Sequence, residues 1–127
     1  MRDRISRINL DVVVRNNLHT TSGHGDPFYN APVVLVVLGK KDIGTRVYDG
    51  SLVMENMMLA ANSLGLGSCW VHRAKEVFET EEGRQILLDL GITEEYEGIG
   101  NCIIGYPAEN ALRPQKARKD NYVYWIK

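Results

Sequence analysis

Six consecutive apolar residues, Val33-Val34-Leu35-Val36-Val37-Leu38, stand between Pro32 and Gly39. A β-branched run of this kind predicts a strand buried on both faces. Such a strand belongs in the middle of a sheet with helices on either side. The run is far shorter than the ~20 residues that cross a bilayer. The opening Met1-Arg2-Asp3-Arg4 leads into mixed polar sequence rather than the apolar core of a secretory signal. A membrane-spanning or secreted protein is therefore not expected. A second run, Ile99-Gly100-Asn101-Cys102-Ile103-Ile104-Gly105-Tyr106, ends at Pro107 and reads as another buried strand.

Helical periodicity fills the space around these strands. Ile5, Ile8 and Val12 recur at three- and four-residue spacing, which predicts an amphipathic helix from Asp3 to about Asn16. Asp3/Arg7 and Asp11/Arg15 stand four apart and support it. A polar loop follows, with His19 and His24 in it, and Pro27 continues the break. Lys40 to Arg46 reads as a polar connection. Thr80 is placed to cap a helix from Glu81 to about Leu90, and Gly91 to stop it. Ser68 to His72 reads as a short strand, Glu76 to Phe78 as one helical turn, and Tyr122 to Ile126 as a terminal strand or arm. The chain has 127 residues, enough for one core but not two, so residues 1–127 form a single domain. Helices alternating with buried strands make it an α/β or α+β sandwich.

The segment from Gly50 to about Leu64, with Asp49 as its expected N-cap, is apolar nearly all round. Only Glu55, Asn56, Asn62 and Ser63 interrupt Leu52, Val53, Met54, Met57, Met58, Leu59, Ala60, Ala61 and Leu64. A helix without a polar half must be covered, inside the domain or against another subunit. A domain this small has little room to encase one, which points to a dimer.

Charge and motifs exclude several classes of function. The 15 basic and 16 acidic residues nearly cancel, so no overall field draws the chain to nucleic acid. Cys69 and Cys102 are too few for a disulfide framework and fit the reducing cytoplasm; neither has a partner at zinc-ligand spacing. Cysteines in strands usually act as small hydrophobes. Gly65-Leu66-Gly67 lacks the third glycine of a dinucleotide fingerprint and runs from helix into strand, the reverse of that motif. No phosphate-binding P-loop or nucleophile elbow is present. His72 ends a predicted strand and reads as a packed or hydrogen-bonded residue rather than a catalyst. Arg113, Lys116, Arg118 and Lys119 can either hold a phosphate group or form a solvated tail.

A family resemblance carries the reading further. Asp26-Pro27-Phe28-Tyr29-Asn30-Ala31-Pro32-Val33-Val34 resembles the entry to the first long strand of nitroreductase-family flavoproteins. Met54 to His72, with its Gly65-Leu66-Gly67 turn, resembles the family's central helix and following strand. Ile103-Ile104-Gly105-Tyr106-Pro107 resembles its late strand and Gly-Tyr-Pro exit, and Lys116-Ala117-Arg118 its closing basic pair. Each motif alone is weak, but their order and spacing agree from about Ile5 to the C-terminus.

The resemblance implies an α+β fold: an α/β/α sandwich with a mixed, largely antiparallel sheet, built as an intertwined homodimer. It implies FMN at the subunit interface, NAD(P)H as hydride donor and a small-molecule electron acceptor such as a nitroaromatic or quinone. It places Trp70, Val71, His72 and Arg73 beside the flavin ring, where backbone groups approach its N5 edge, and Lys116 and Arg118 at the FMN phosphate. The family's opening Arg-x-Ser-x-Arg segment is expected to be missing. Arg4-Ile5-Ser6-Arg7 differs from it by one in spacing and lies too close to Ala31-Pro32. The chain thus reads as an N-terminally short member. A non-catalytic dimerisation or ligand-binding module that has lost the flavin site is the alternative.

Overall fold

The computed structural model describes residues 1–16, 25–109, 111, 116–121 and 123–126. His19, His24, Arg113 and Tyr122 lie outside them. The elements run α1 (Arg2–Arg15), β1 (Val33–Lys40), α2 (Arg46–Ser63), β2 (Gly67–Val71), α3 (Ala74–Glu79), α4 (Glu81–Asp89) and β3 (Tyr96–Gly105). The fold is α+β. The strands lie in the order β1-β3-β2, and both pairings are antiparallel.

Strand β1 is therefore an edge, not the middle, and the expectation that it is buried on both faces is corrected. Val34, Val36 and Leu38 pack into the core under α1, α3 and α4. On the opposite face Val33 and Leu35 remain 45% and 40% exposed. The centre belongs to β3, which hydrogen-bonds to a neighbour on each side and starts at Tyr96, three residues before the apolar run.

Helices cover the sheet from both sides. Ile5 and Ile8 of α1, Val77 and Phe78 of α3, and Ile86 and Leu87 of α4 meet Phe28 and Ile103 in one core. Helix α2 lies across the other face, against all three strands. Two glycines set these approaches. A β-carbon at Gly98 would fall 2.3 Å from the Ala74 backbone of α3, and one at Gly50 of α2 would fall 2.7 Å from the Ile99 side chain. Between them the register shifts: Val37 faces Gly100 and Leu38 faces Gly98, so Ile99 is bulged out toward α2.

Local signals hold at several ends. Thr80 Oγ1 accepts from the Gly83 N–H at 2.9 Å, as expected of an N-cap. Helices α2 and α4 both end with a glycine at positive φ, Gly65 and Gly91. In each, the next two N–H groups bond back to the last turn (Gly65 to Asn62 and Leu66 to Ala61; Gly91 to Leu88 and Ile92 to Leu87).

Helix α2 departs from expectation in two ways. It begins at Arg46, so most of the expected polar connection is helix or turn, and Asp49 lies within the first turn, where Thr45 Oγ1 donates to it at 2.7 Å. Its burial is also narrower. Gly50, Met54 and Ala61 are buried, while Leu52 and Leu59 are 61% and 60% exposed. One sheet face covers only one stripe of a helix, so the rest of the apolar circumference stands open. Residues 123–126 have no regular secondary structure, so the expected terminal strand is not formed in the single chain.

Candidate functional site at the end of strand β2

Strand β2 ends at Val71, so His72 lies just beyond the strand rather than closing it. Trp70 pairs with Cys102 of β3, and Val71 with Asn101. Trp70 lies over Gly100, and its ring centroid is 6.2 Å from that of exposed His72. Arg73, half-buried, has φ 74° and ψ 19° before α3 starts. The left-handed region costs a residue with a β-carbon roughly 1–2 kcal/mol. Such strain persists where surrounding structure enforces it and gathers at ligand sites.

Two carboxamides anchor the peptide that precedes Arg73. Asn9 of α1 and Asn101 of β3 are both fully buried. Asn9 Nδ2 donates to the His72 carbonyl at 3.3 Å, and Asn101 Nδ2 donates to the same carbonyl and to that of Val71, each at 3.2 Å. Both Oδ1 atoms, and the indole Nε1 of Trp70, are buried without a hydrogen-bond partner. Leaving such a group unmet costs about 1–3 kcal/mol. The spacing-based reading missed both asparagines. Asn9 stands four residues after Ile5 and three before Val12, on the same buried stripe, and that was the available signal. Asn101 is masked by the apolar run around it.

The sequence-proposed residues divide into two groups. Trp70, Val71, His72 and Arg73 form one continuous stretch at this strand end. Lys116 and Arg118 are exposed, in a segment without regular structure, and among the described residues neither makes an ion pair or side-chain hydrogen bond. Cys102 is buried under α2's side of the sheet, and that burial pushes its thiol up, as fits a packed hydrophobe.

A second ordered feature precedes β1. Asp26 accepts from the Ser6 hydroxyl at 2.7 Å, from the Phe28 and Asn30 N–H groups at 3.1 and 2.8 Å, and from the Arg2 guanidinium. Burial alone would push its carboxyl up, but these donors outweigh it and hold the group at about 2. The knot supports left-handed Tyr29 and Asn30 and ties α1 to the entry of β1. A recess of about 480 Å³ between α1 and α4 is lined in part by an existing ion pair, Arg4 with Glu82. It has none of the strained backbone of the β2 end. Among the described residues no group of His, Cys, Asp and Glu could hold a metal ion, and no helix is long and apolar enough to cross a membrane.

Known proteins share this fold. Residues 5–106 match the nitroreductase family. A curated relative from Methanothermobacter thermautotrophicus, named as an NADH dehydrogenase/NAD(P)H nitroreductase, is 31% identical over 109 residues, covering 78% of this chain and 55% of the relative. The chain thus spans about half the length of that relative. The crystal structure of a Bacteroides fragilis nitroreductase with bound FMN superposes with a TM-score of 0.78 at 26% identity, over 99% of this chain and 72% of that one. A Desulfitobacterium hafniense nitroreductase with bound FMN gives the same TM-score at 18% identity, over 99% and 70%, and so shares the fold. Together the matched span, the sandwich and the order of its elements show that this chain belongs to the nitroreductase family.

Proposed function

We propose that the chain forms a homodimer that binds FMN beside Trp70–Arg73 and passes electrons from NAD(P)H to a small-molecule acceptor such as a nitroaromatic or quinone, in the cytoplasm. The observation that carries this reading is the left-handed Arg73 at the end of β2, held by two buried carboxamides. The bound FMN of the Bacteroides fragilis neighbour and the name of the Methanothermobacter relative support the cofactor and the donor.

The residues fit a flavin in three respects. Gly100 leaves room for the Trp70 indole against β3, where a β-carbon would fall 2.6 Å from its Nε1. The His72–Arg73 backbone is ordered without belonging to a sheet ladder, and among the described residues its N–H groups meet no acceptor, so they remain for a ligand. Lys116 and Arg118 are cations without protein partners among the described residues, suited to a phosphate. When bound, FMN supplies the redox chemistry, accepting hydride from NAD(P)H and giving up two electrons to the acceptor. The chain's own part is to place a backbone donor where negative charge develops on the reduced ring, and a preorganised donor needs no rearrangement to do so.

The dimer is supported by apolar surface that one copy leaves open. Leu52, Val53 and Leu59 of α2 are exposed, and so are Leu64 at its C-cap and Val123, Tyr124, Trp125 and Ile126. A second copy would cover such residues, because large apolar side chains left open in number mark an interaction surface. Titrating the purified protein with FMN, followed by addition of NAD(P)H, tests the reading: tight uptake and bleaching of the flavin band support it, and no uptake overturns it.

A further inference from the structure

We infer that Asn9 and Asn101 are positioning residues: by holding the His72 carbonyl inward they turn the Arg73 N–H outward, as the donor to the reducible edge of the flavin. This rests on the proposed FMN function. In a trans peptide the carbonyl of one residue and the N–H of the next point in opposite directions. Asn9 Nδ2 and Asn101 Nδ2 reach the His72 carbonyl at 3.3 and 3.2 Å from the side of α1 and β3. The Arg73 N–H must therefore point away from that side. Among the described residues it meets no acceptor.

The amide orientations are fixed by the same contacts. Turning either carboxamide over would set its oxygen against the His72 carbonyl oxygen, two acceptors face to face. Each asparagine then keeps its Oδ1 buried and unpartnered. Apolar side chains of similar shape would avoid that burden. A pair that is poor for stability yet converges on one carbonyl from two elements, beside a left-handed residue, is explained by what it does to the backbone.

The test uses the full chain loaded with FMN. The double variant Asn9→Leu/Asn101→Leu removes both donors and both orphaned oxygens but leaves the His72 carbonyl unmet, so its thermal midpoint should fall while the chain still folds. Its preference for reduced over oxidised FMN should fall about tenfold, lowering the two-electron midpoint potential by about 30 mV. An unchanged potential, whether FMN binding is retained or weakened equally in both states, overturns the inference and makes the asparagines merely structural. Should the double variant not fold, Asn9→Leu alone keeps the Asn101 donor and should lower the same preference about threefold; no change overturns the inference. In the parent protein, the Arg73 amide proton should move downfield on FMN binding and further on reduction by dithionite. An Arg73 amide that ignores reduction also overturns it. A parent that binds no FMN defeats the functional reading and the inference together, whereas FMN binding with a silent Arg73 amide defeats the inference alone.

Discussion

The backbone at Gly100 lies so close beneath Trp70 that a β-carbon there would come within 2.6 Å of the indole Nε1. Strand β3 is paired on both sides and cannot retreat, so Gly100→Ala must displace the indole. Overpacking of this kind costs about 1–3 kcal/mol. The expected result is a lower unfolding midpoint and a red shift of the emission from Trp70. In a Trp125→Phe background Trp70 is the only tryptophan of the chain, so the shift reports on it. An unmoved spectrum would show that the indole is not seated as described.

Asp26 makes stability depend on acid. Its carboxyl sits at about 2 in the fold against an ordinary 3.8. The ionised form is thus favoured by folding, and its contribution, about 2 kcal/mol, is present above about pH 5 and lost as pH falls through the folded value. Denaturant unfolding followed from neutral pH downward should show this loss. Asp26→Asn should flatten that part of the profile while lowering stability at neutral pH.

Glu97 of β3 joins the two helical layers, accepting from Arg46 of α2 and, at 3.1 Å, pairing with Lys75 of α3. The Arg46 and Lys75 hydrogen bonds hold its carboxyl below the usual range. Glu97→Gln keeps the shape and removes the charge. Because Glu97 itself is buried, the loss should be about 1–3 kcal/mol, larger than for a surface pair. A midpoint shift of no more than a surface substitution would contradict the clamp.

Lys116 and Arg118 are proposed to meet the FMN phosphate. Lys116→Ala/Arg118→Ala should weaken FMN binding about tenfold or more and leave riboflavin, which has no phosphate, unaffected. Equal effects on both ligands would return the pair to solvent.

Leu52 and Leu59 stand seven residues apart on one open face of α2. Leu52→Glu/Leu59→Glu should convert a dimer to a monomer in sedimentation without changing the circular dichroism of the helices. A variant that remains dimeric would remove α2 from the interface.

Much of this fold was legible because its signals are local. Thr80 and Gly91 mark the ends of α4 through cap chemistry that depends only on near neighbours. The runs around Val34 and Ile103 announce strands for the same reason. Strand order was not legible, since an edge strand half-covered by α2 has the same apolar composition as a central one. The early start of α2 was hidden by Lys40, Lys41, Asp42 and Thr45, whose polarity suits a turn as well as a first helical turn. At the site, the Trp70–Arg73 stretch came from family resemblance. The asparagines that hold it stand 92 residues apart, Asn9 against Asn101, and only tertiary structure brings their side chains to one carbonyl.

The central claim is that this chain holds FMN. The absorbance spectrum of the purified protein between the near-ultraviolet and the blue, taken before and after FMN addition and gel filtration, tests it most directly. The expected result is a yellow protein carrying about one flavin per chain, with the band bleached by NAD(P)H. A protein that leaves the column colourless after FMN addition would contradict it and mark the chain as a dimerisation module without a flavin site.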